Sequence, residues 1–241
     1  MTSMDSHRLI SRIPWTYLCW MTVLLLVLGY SVFSMDKLNM HLMLNAYHRP
    51  WMDTLMCAYT QVGEWVPYVV VVVLLLYKLG WSLFLLSEVL LSGLMTRGLK
   101  LLLNTPRPIT LFAEQMPDVP LPLVDGYEMA AWYSMPSGHM TTFVALMMTL
   151  CLISNSDHLT HKSRCPKCME YLLETLAFVL TVLGGYSRIY LNMHFAEDIL
   201  VGAVVGMVAM VIGVVVLRMT HINKVWDWNL GQLLVFLKKN A

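Results

Sequence analysis

The chain has 241 residues, of which 58% are hydrophobic and only 13% are charged. Soluble domains carry about 25% charged residues, so this composition excludes an ordinary soluble protein and predicts a membrane protein. The formal net charge of +1 argues against a general basic surface for nucleic-acid binding. The five cysteines are mostly scattered along the chain, and their spacing does not indicate a disulfide framework.

Six apolar stretches predict six transmembrane helices in a single domain over residues 1–241, and therefore an all-α polytopic membrane protein. They cover residues 15–33, 62–77, 81–103, 138–153, 171–191 and 196–217. The first stretch lacks the short apolar core and cleavage site of a signal peptide, so we expect it to be retained. In the sixth stretch, Gly202 and Gly206 form a small-xxx-small pair that favours close helix contact.

The segments outside these stretches suggest interfacial structure. Residues 34–60 mix charged, histidine and apolar side chains, which is typical of an amphipathic segment on the membrane surface. Residues 104–135 are rich in proline, so we expect a long loop without a regular helix through it. The C-terminal tail, with tryptophans next to an apolar run and lysines, predicts an interfacial helix too short to span the membrane.

Lys and Arg residues are more frequent in the segments that share a side with the N-terminus. Because cytoplasmic loops are enriched in these residues, we expect both termini to be cytoplasmic. The outer end of the third span, the long loop, the start of the fourth span and residues 187–198 then lie together on the opposite side.

The stretch from Ser187 to Asp198, SRIYLNMHFAED, carries three candidate functional residues. His194 and Asp198 are four residues apart and would share one face of a helix. A carboxylate next to an imidazole can fix its tautomer and leave the other ring nitrogen free as a nucleophile or base. Arg188 has a planar guanidinium suited to phosphate.

Two further segments add chemistry of the same kind on the same predicted side. Lys100 and Arg107 are cations that can bind phosphoryl oxygens. Ser137 and Gly138 open the fourth span, where free backbone N–H groups and the helix dipole favour an anion. His139 follows them and could protonate a leaving oxygen. Two histidines in these roles suffice for a two-step hydrolysis of a phosphate ester without a metal ion.

The segments KLLLNTPRP, PSGH and SRIYLNMHFAED resemble the three-part signature of the type-2 phosphatidic acid phosphatase superfamily, over about residues 95–215. The resemblance is greatest to its bacterial membrane lipid phosphatases. It implies that His194 forms a phosphohistidine oriented by Asp198 and that His139 is the general acid. It implies phosphate ligands as well, without metal or cofactor: Lys100, Arg107, Ser137, Gly138 and Arg188.

The resulting expectation is a lipid phosphatase that cleaves a phosphate monoester or diphosphate at the periplasmic face of a bacterial inner membrane. Lipid A and undecaprenyl diphosphate lead the candidate substrates, followed by phosphatidylglycerophosphate and phosphatidate. Its partners would be the lipid substrate and the bilayer, without nucleic acid or an obligatory protein partner. One alternative is a phosphotransferase that passes the phosphoryl group to a second lipid or sugar. Another is a transporter or scaffold for anionic lipid, which would need neither the acid nor the His–Asp pair.

Two features fall outside this scheme. The loop HLTHKSRCPKC places His158, His161, Cys165 and Cys168 at a spacing that could hold zinc; its alternative interpretation is a basic loop with two reduced thiols. Glu88, in the third apolar stretch, has no evident partner in the sequence. Since a carboxylate facing lipid is costly, we expect Glu88 to point into the helix bundle or towards the surface.

Overall fold

The structure is a computed structural model that describes residues 13–157, 167–219 and 228–240. These residues form nine helices. In chain order they are α1 (Trp15–Ser34), α2 (Lys37–Leu44), α3 (Pro50–Tyr77), α4 (Leu79–Leu103), α5 (Pro108–Gln115), α6 (Gly138–Asp157), α7 (Lys167–Tyr190), α8 (Ala196–Met219) and α9 (Leu230–Asn240). Helices α1, α3, α4, α6, α7 and α8 are long and apolar enough to cross a membrane. The predictions of an all-α fold and six spans are confirmed.

The two largest departures from the predicted segments occur where a proline begins a helix. Pro50 begins α3, so residues 50–60 continue into the second span and only α2 remains as a separate surface helix. Pro108 begins α5 within the segment predicted to lack a regular helix. A proline at the first helical position keeps a suitable φ and loses no hydrogen bond, because that N–H has no partner within a helix.

Helix α6 lies at the centre of the bundle. It packs against α3, α4, α7 and α8. In its apolar, membrane-spanning part, 67% of the residues are buried, compared with 11% in α1. Its face is lined by large side chains such as Met140, Phe143 and Leu146, which are almost fully buried. The start of this central helix carries the predicted residues Ser137 to His139, so that end of the bundle is firmly positioned.

Glycines on α8 allow its backbone to approach α6. A Cβ atom at Gly202 would lie 2.7 Å from the carbonyl oxygen of Ser137, and one at Gly206 would lie 2.9 Å from Cβ of Val144. The small-xxx-small pair therefore faces α6, as its spacing predicted. This contact brings the start of α6 next to the start of α8, where Asp198 lies.

The two features outside the scheme have different outcomes. Glu88 is fully buried in the bundle against Gly213 of α8, and neither carboxylate oxygen has a hydrogen-bond partner within the part of the chain that the structure describes. His158, His161 and Cys165 of the zinc hypothesis lie outside the described residues. Cys168, near the start of α7, is an exposed free thiol.

Candidate active site

The three predicted segments meet at one end of the bundle. Contacts between the segments define the meeting point: the ammonium of Lys100 donates to the carbonyl of Ser134 at 3.1 Å, and Nη1 of Arg107 donates to the carbonyl of Met193 at 3.1 Å. Helix polarity explains the convergence, because α4 and α7 end where α6 and α8 begin. All eight predicted residues lie in or next to these helix termini: Lys100, Arg107, Ser137, Gly138, His139, Arg188, His194 and Asp198.

His194 and Asp198 form the predicted pair, although not on one helix. Nδ1 of His194 lies 3.4 Å from Oδ2 of Asp198, and the two side chains are almost completely buried. His194 precedes α8, and the same carboxylate oxygen accepts the amide N–H of Phe195 at 2.8 Å. Asp198 therefore caps the start of its own helix and contacts the histidine in front of it.

The loop before α8 presents His194 through local backbone hydrogen bonds. The amides of Met193 and His194 both donate to the carbonyl of Arg188, at 2.9 and 3.2 Å. Asn192 adopts a left-handed conformation with φ of 53°, which asparagine tolerates better than most residues. This turn closes α7 and reverses the chain, and it leaves His194 close enough to Arg188 for the guanidinium charge to lower the pKa of the imidazole.

Burial and nearby positive charge favour the neutral form of His194. Burial is the main cause that lowers its pKa well below the ordinary value, and the nearby cations Arg107, Arg188 and Lys100 lower it further. A neutral imidazole that carries its one proton on Nδ1, towards the carboxylate, has the lone pair of Nε2 available for attack. The pKa of Arg107 is lowered too, first by burial and then by the charge of Arg188.

The cations are held by backbone carbonyls of the segment that precedes α6. Lys100 contacts the carbonyls of Tyr133 and Ser134. Nε of Arg107 donates to the carbonyl of Trp132 at 2.9 Å. These bonds position both cations without neutralising them, since a carbonyl carries no net charge. The site therefore keeps a positive field suited to an anionic substrate.

Arg188, at the last turn of α7, is only 3% exposed. Its Nη1 donates to Thr60 Oγ1 at 2.5 Å and to the hydroxyl of Tyr127 at 2.8 Å. Its Nε is buried and has no hydrogen-bond partner among the described residues. A buried donor without a partner is costly, so this nitrogen is suited to bind an incoming acceptor.

His139, in the first turn of α6, also offers an unused nitrogen. Its Nε2 is buried and lacks a partner within the described part of the chain. The ring lies against α3, where a Cβ at Gly63 would approach its Cδ2 to 3.2 Å. The position of His139 is thus set by packing and leaves a ring nitrogen available for proton transfer.

The backbone N–H of Ser137 is not free, and the assignment of Ser137 as a phosphate ligand stays a prediction. Its N–H donates to the carbonyl of Asp198 at 3.0 Å, so this bond joins α6 to α8 instead. Gly138 and His139 supply the remaining amides at the start of α6. The side chain of Ser137 is fully buried next to them.

Sequence reasoning missed several residues that hold the site together. Ser134 donates its hydroxyl to Oδ2 of Asp198 at 2.5 Å. Asn192 accepts hydrogen bonds from His41 and Asn45 and donates to the carbonyl of Pro122 at 2.7 Å. These contacts bridge 64 to 151 positions of sequence, so local spacing carried no signal for them. Only the proximity of Ser134 to the PSGH segment could have suggested it.

A protein-family model and solved structures are similar to this chain. A model of the PAP2 superfamily matches residues 81–222. The crystal structure of LpxE from Aquifex aeolicus has a TM-score of 0.57 and 22% identity, covering 76% of this chain and 97% of that chain. The first transmembrane PAP2 type phosphatidylglycerolphosphate phosphatase from Bacillus subtilis has a TM-score of 0.49 and 19% identity, with 83% and 94% covered. No curated protein sequence matches this chain.

Proposed function

Since the chain belongs to the PAP2 superfamily, we propose that it is a lipid phosphatase, which hydrolyses a phosphate monoester or diphosphate on a membrane lipid through a phosphohistidine at His194. The observation that carries this proposal is the buried His194–Asp198 pair surrounded by Lys100, Arg107 and Arg188. A neutral imidazole among cations combines a nucleophile with a site for the negative charge of the substrate.

In the first step, Nε2 of His194 attacks phosphorus as the bond between phosphorus and the lipid oxygen breaks. His139, protonated once the phosphate anion is bound beside it, transfers its proton to that oxygen, and the lipid leaves as an alcohol or as a phosphate one group shorter. Asp198 stabilises the positive charge that develops on the ring of His194. The three cations stabilise the charge on the phosphoryl oxygens in the transition state.

In the second step, water attacks phosphorus and the bond between phosphorus and Nε2 breaks. The electron pair of that bond returns to His194, and His139 accepts a proton from the water. Inorganic phosphate is released, and both histidines regain their starting states. The sum is one lipid phosphate plus water giving one dephosphorylated lipid plus phosphate.

The position of the site supports an amphiphilic substrate. Lys100 and Arg188 lie in the last turns of spans, and His139 and Asp198 lie in the first turns of others. Helix ends of membrane spans lie at headgroup height, so a lipid can present its phosphate while its tails stay in the hydrocarbon. We propose that the end of the bundle with the candidate site lies on the periplasmic side of a bacterial inner membrane. Lipid A and undecaprenyl diphosphate are then the leading substrates.

Trapping the intermediate tests this mechanism. The purified protein would be mixed with lipid labelled with ³²P at the terminal phosphate and quenched rapidly in alkali, where phosphohistidine survives. We expect an acid-labile label on His194 in the wild type and none in His194→Ala. A label on another residue would contradict the nucleophile assignment, and recovery of ³²P on a second lipid instead of free phosphate would identify a phosphotransferase.

A further inference from the structure

Two side chains outside the signature segments hold the guanidinium of Arg188. Thr60 comes from the middle of α3. Tyr127 comes from the part of the long loop that lies between α5 and α6, residues 116–137. Both bind the same nitrogen, Nη1, at 2.5 and 2.8 Å. Nη1 has two hydrogens, so these bonds occupy it fully.

The remaining edge of the guanidinium is left for another ligand. Nε lies along that edge, and it is buried without a partner among the described residues. Arginine binds phosphate best through two parallel N–H donors along one edge. With Nη1 occupied, the edge that contains Nε is the one that can bind a phosphoryl group bidentately.

Both anchors are themselves fixed. Thr60 is 1% exposed on a membrane-spanning helix. The ring of Tyr127 packs against a small cluster that includes Met56, Leu191 and Met193. A turn with Gly126 at φ of 75° brings the tyrosine onto this cluster. Neither hydroxyl is a flexible surface group, so their two bonds set the rotation of the guanidinium plane.

We infer that Thr60 and Tyr127 are positioning residues that orient Arg188 so that its Nε edge faces the phosphoryl group. This inference rests on the proposed function, because it assigns Arg188 to the substrate phosphate. It makes the long loop part of the phosphate site: the loop must be folded onto α7 before Arg188 is aligned.

The test measures binding of orthovanadate, a phosphate analogue, to the purified full-length protein in detergent by isothermal titration. Tyr127→Phe and Thr60→Val each remove one hydroxyl, and we expect each to weaken vanadate binding about tenfold, because the guanidinium then keeps only one of its two anchors and its bidentate contact is misaligned. Thr60→Ser keeps the hydroxyl and should restore binding. Tyr59→Phe is the matched control, because it removes a tyrosine bond of the same 2.8 Å length to the carbonyl of Leu180.

A double-mutant cycle with Arg188→Lys separates positioning from a direct contact. Lysine has no guanidinium edge to orient, so Tyr127→Phe should cost less than about twofold in that background. A full tenfold loss there would overturn the inference. Unchanged or tighter vanadate binding by the single variant Tyr127→Phe, in which Arg188 is intact, would overturn the inference too. Tighter binding would show that the hydroxyl occupies the phosphate position.

Phosphate release from a lipid by the same variants distinguishes failure of this inference from failure of the proposed function. If the wild type releases phosphate while Tyr127→Phe matches Tyr59→Phe in vanadate affinity, the inference fails and the proposed function stands. If the wild type neither releases phosphate nor binds vanadate, the proposed function fails, and the inference fails with it.

Discussion

At the scale of single residues, His194 depends on the charges around it. Its pKa is lowered by burial and by Arg107, Arg188 and Lys100, so the ring stays neutral at pH values where an ordinary histidine is protonated. Lowering the pH removes the nucleophile only when it passes this lowered pKa. The acid limb of kcat/KM should therefore lie well below pH 6.5, the ordinary value.

Arg107→Gln tests the electrostatic part of this argument. Removing a cation reduces the repulsion of the imidazolium form, so the pKa of His194 rises and the acid limb moves up by as much as about one pH unit. Arg97→Gln, at an exposed position of α4, should leave the limb in place. Identical acid limbs in Arg107→Gln and wild type would show that this cation does not act on the nucleophile.

Asp198 has three interactions through one oxygen, with Ser134, Phe195 and His194. Asp198→Asn keeps the size but loses the charge that orients and stabilises the ring. We expect kcat to fall by about 10²- to 10⁴-fold, measured as phosphate release, with thermal unfolding used to confirm folding. The neighbouring Glu197→Gln removes the charge that pairs with Lys37 and should cost less than about threefold. Equal losses in the two variants would contradict the role of Asp198.

At the scale of elements, the contact between α6 and α8 positions the site. A Cβ at Gly202 would meet the Ser137 carbonyl at 2.7 Å, so Gly202→Ala must separate the two helices. We expect a loss of about 1–3 kcal/mol in the free energy of unfolding together with reduced phosphate release. Gly93→Ala, with no atom within 4 Å of its added Cβ, should be neutral or slightly stabilising. A Gly202→Ala protein as stable and active as Gly93→Ala would show that the contact is not needed.

The sequence predicted the spans because hydrophobicity and length alone determine which segments can cross a bilayer. It predicted the convergence of the site because alternating spans place successive helix ends on the same side. Its errors lay where a proline could either end a structure or begin one, as at Pro50 and Pro108. The supporting contacts of Ser134 and Tyr127 were not predictable, since they depend on how a long loop folds back onto helices distant in sequence.

At the scale of the whole molecule, we propose that the six candidate spans leave both termini on the cytoplasmic side of the membrane and the candidate site on the other side. We expect a membrane-impermeant maleimide to label Gln115→Cys, an exposed position at the end of α5, in intact cells. The natural Cys168, exposed near the start of α7, should react only after permeabilisation. The reverse pattern would show that the active-site face is cytoplasmic and would contradict the proposed orientation.

The most direct test of the proposed phosphatase mechanism is release of inorganic phosphate by the purified full-length protein in detergent. Lipid A, undecaprenyl diphosphate, phosphatidylglycerophosphate and phosphatidate would be offered separately to the wild type and to His194→Ala. We predict release from at least one lipid by the wild type and a loss to background in His194→Ala, with the same thermal unfolding temperature. Comparable release by a folded His194→Ala protein would contradict the assignment of His194 as the nucleophile.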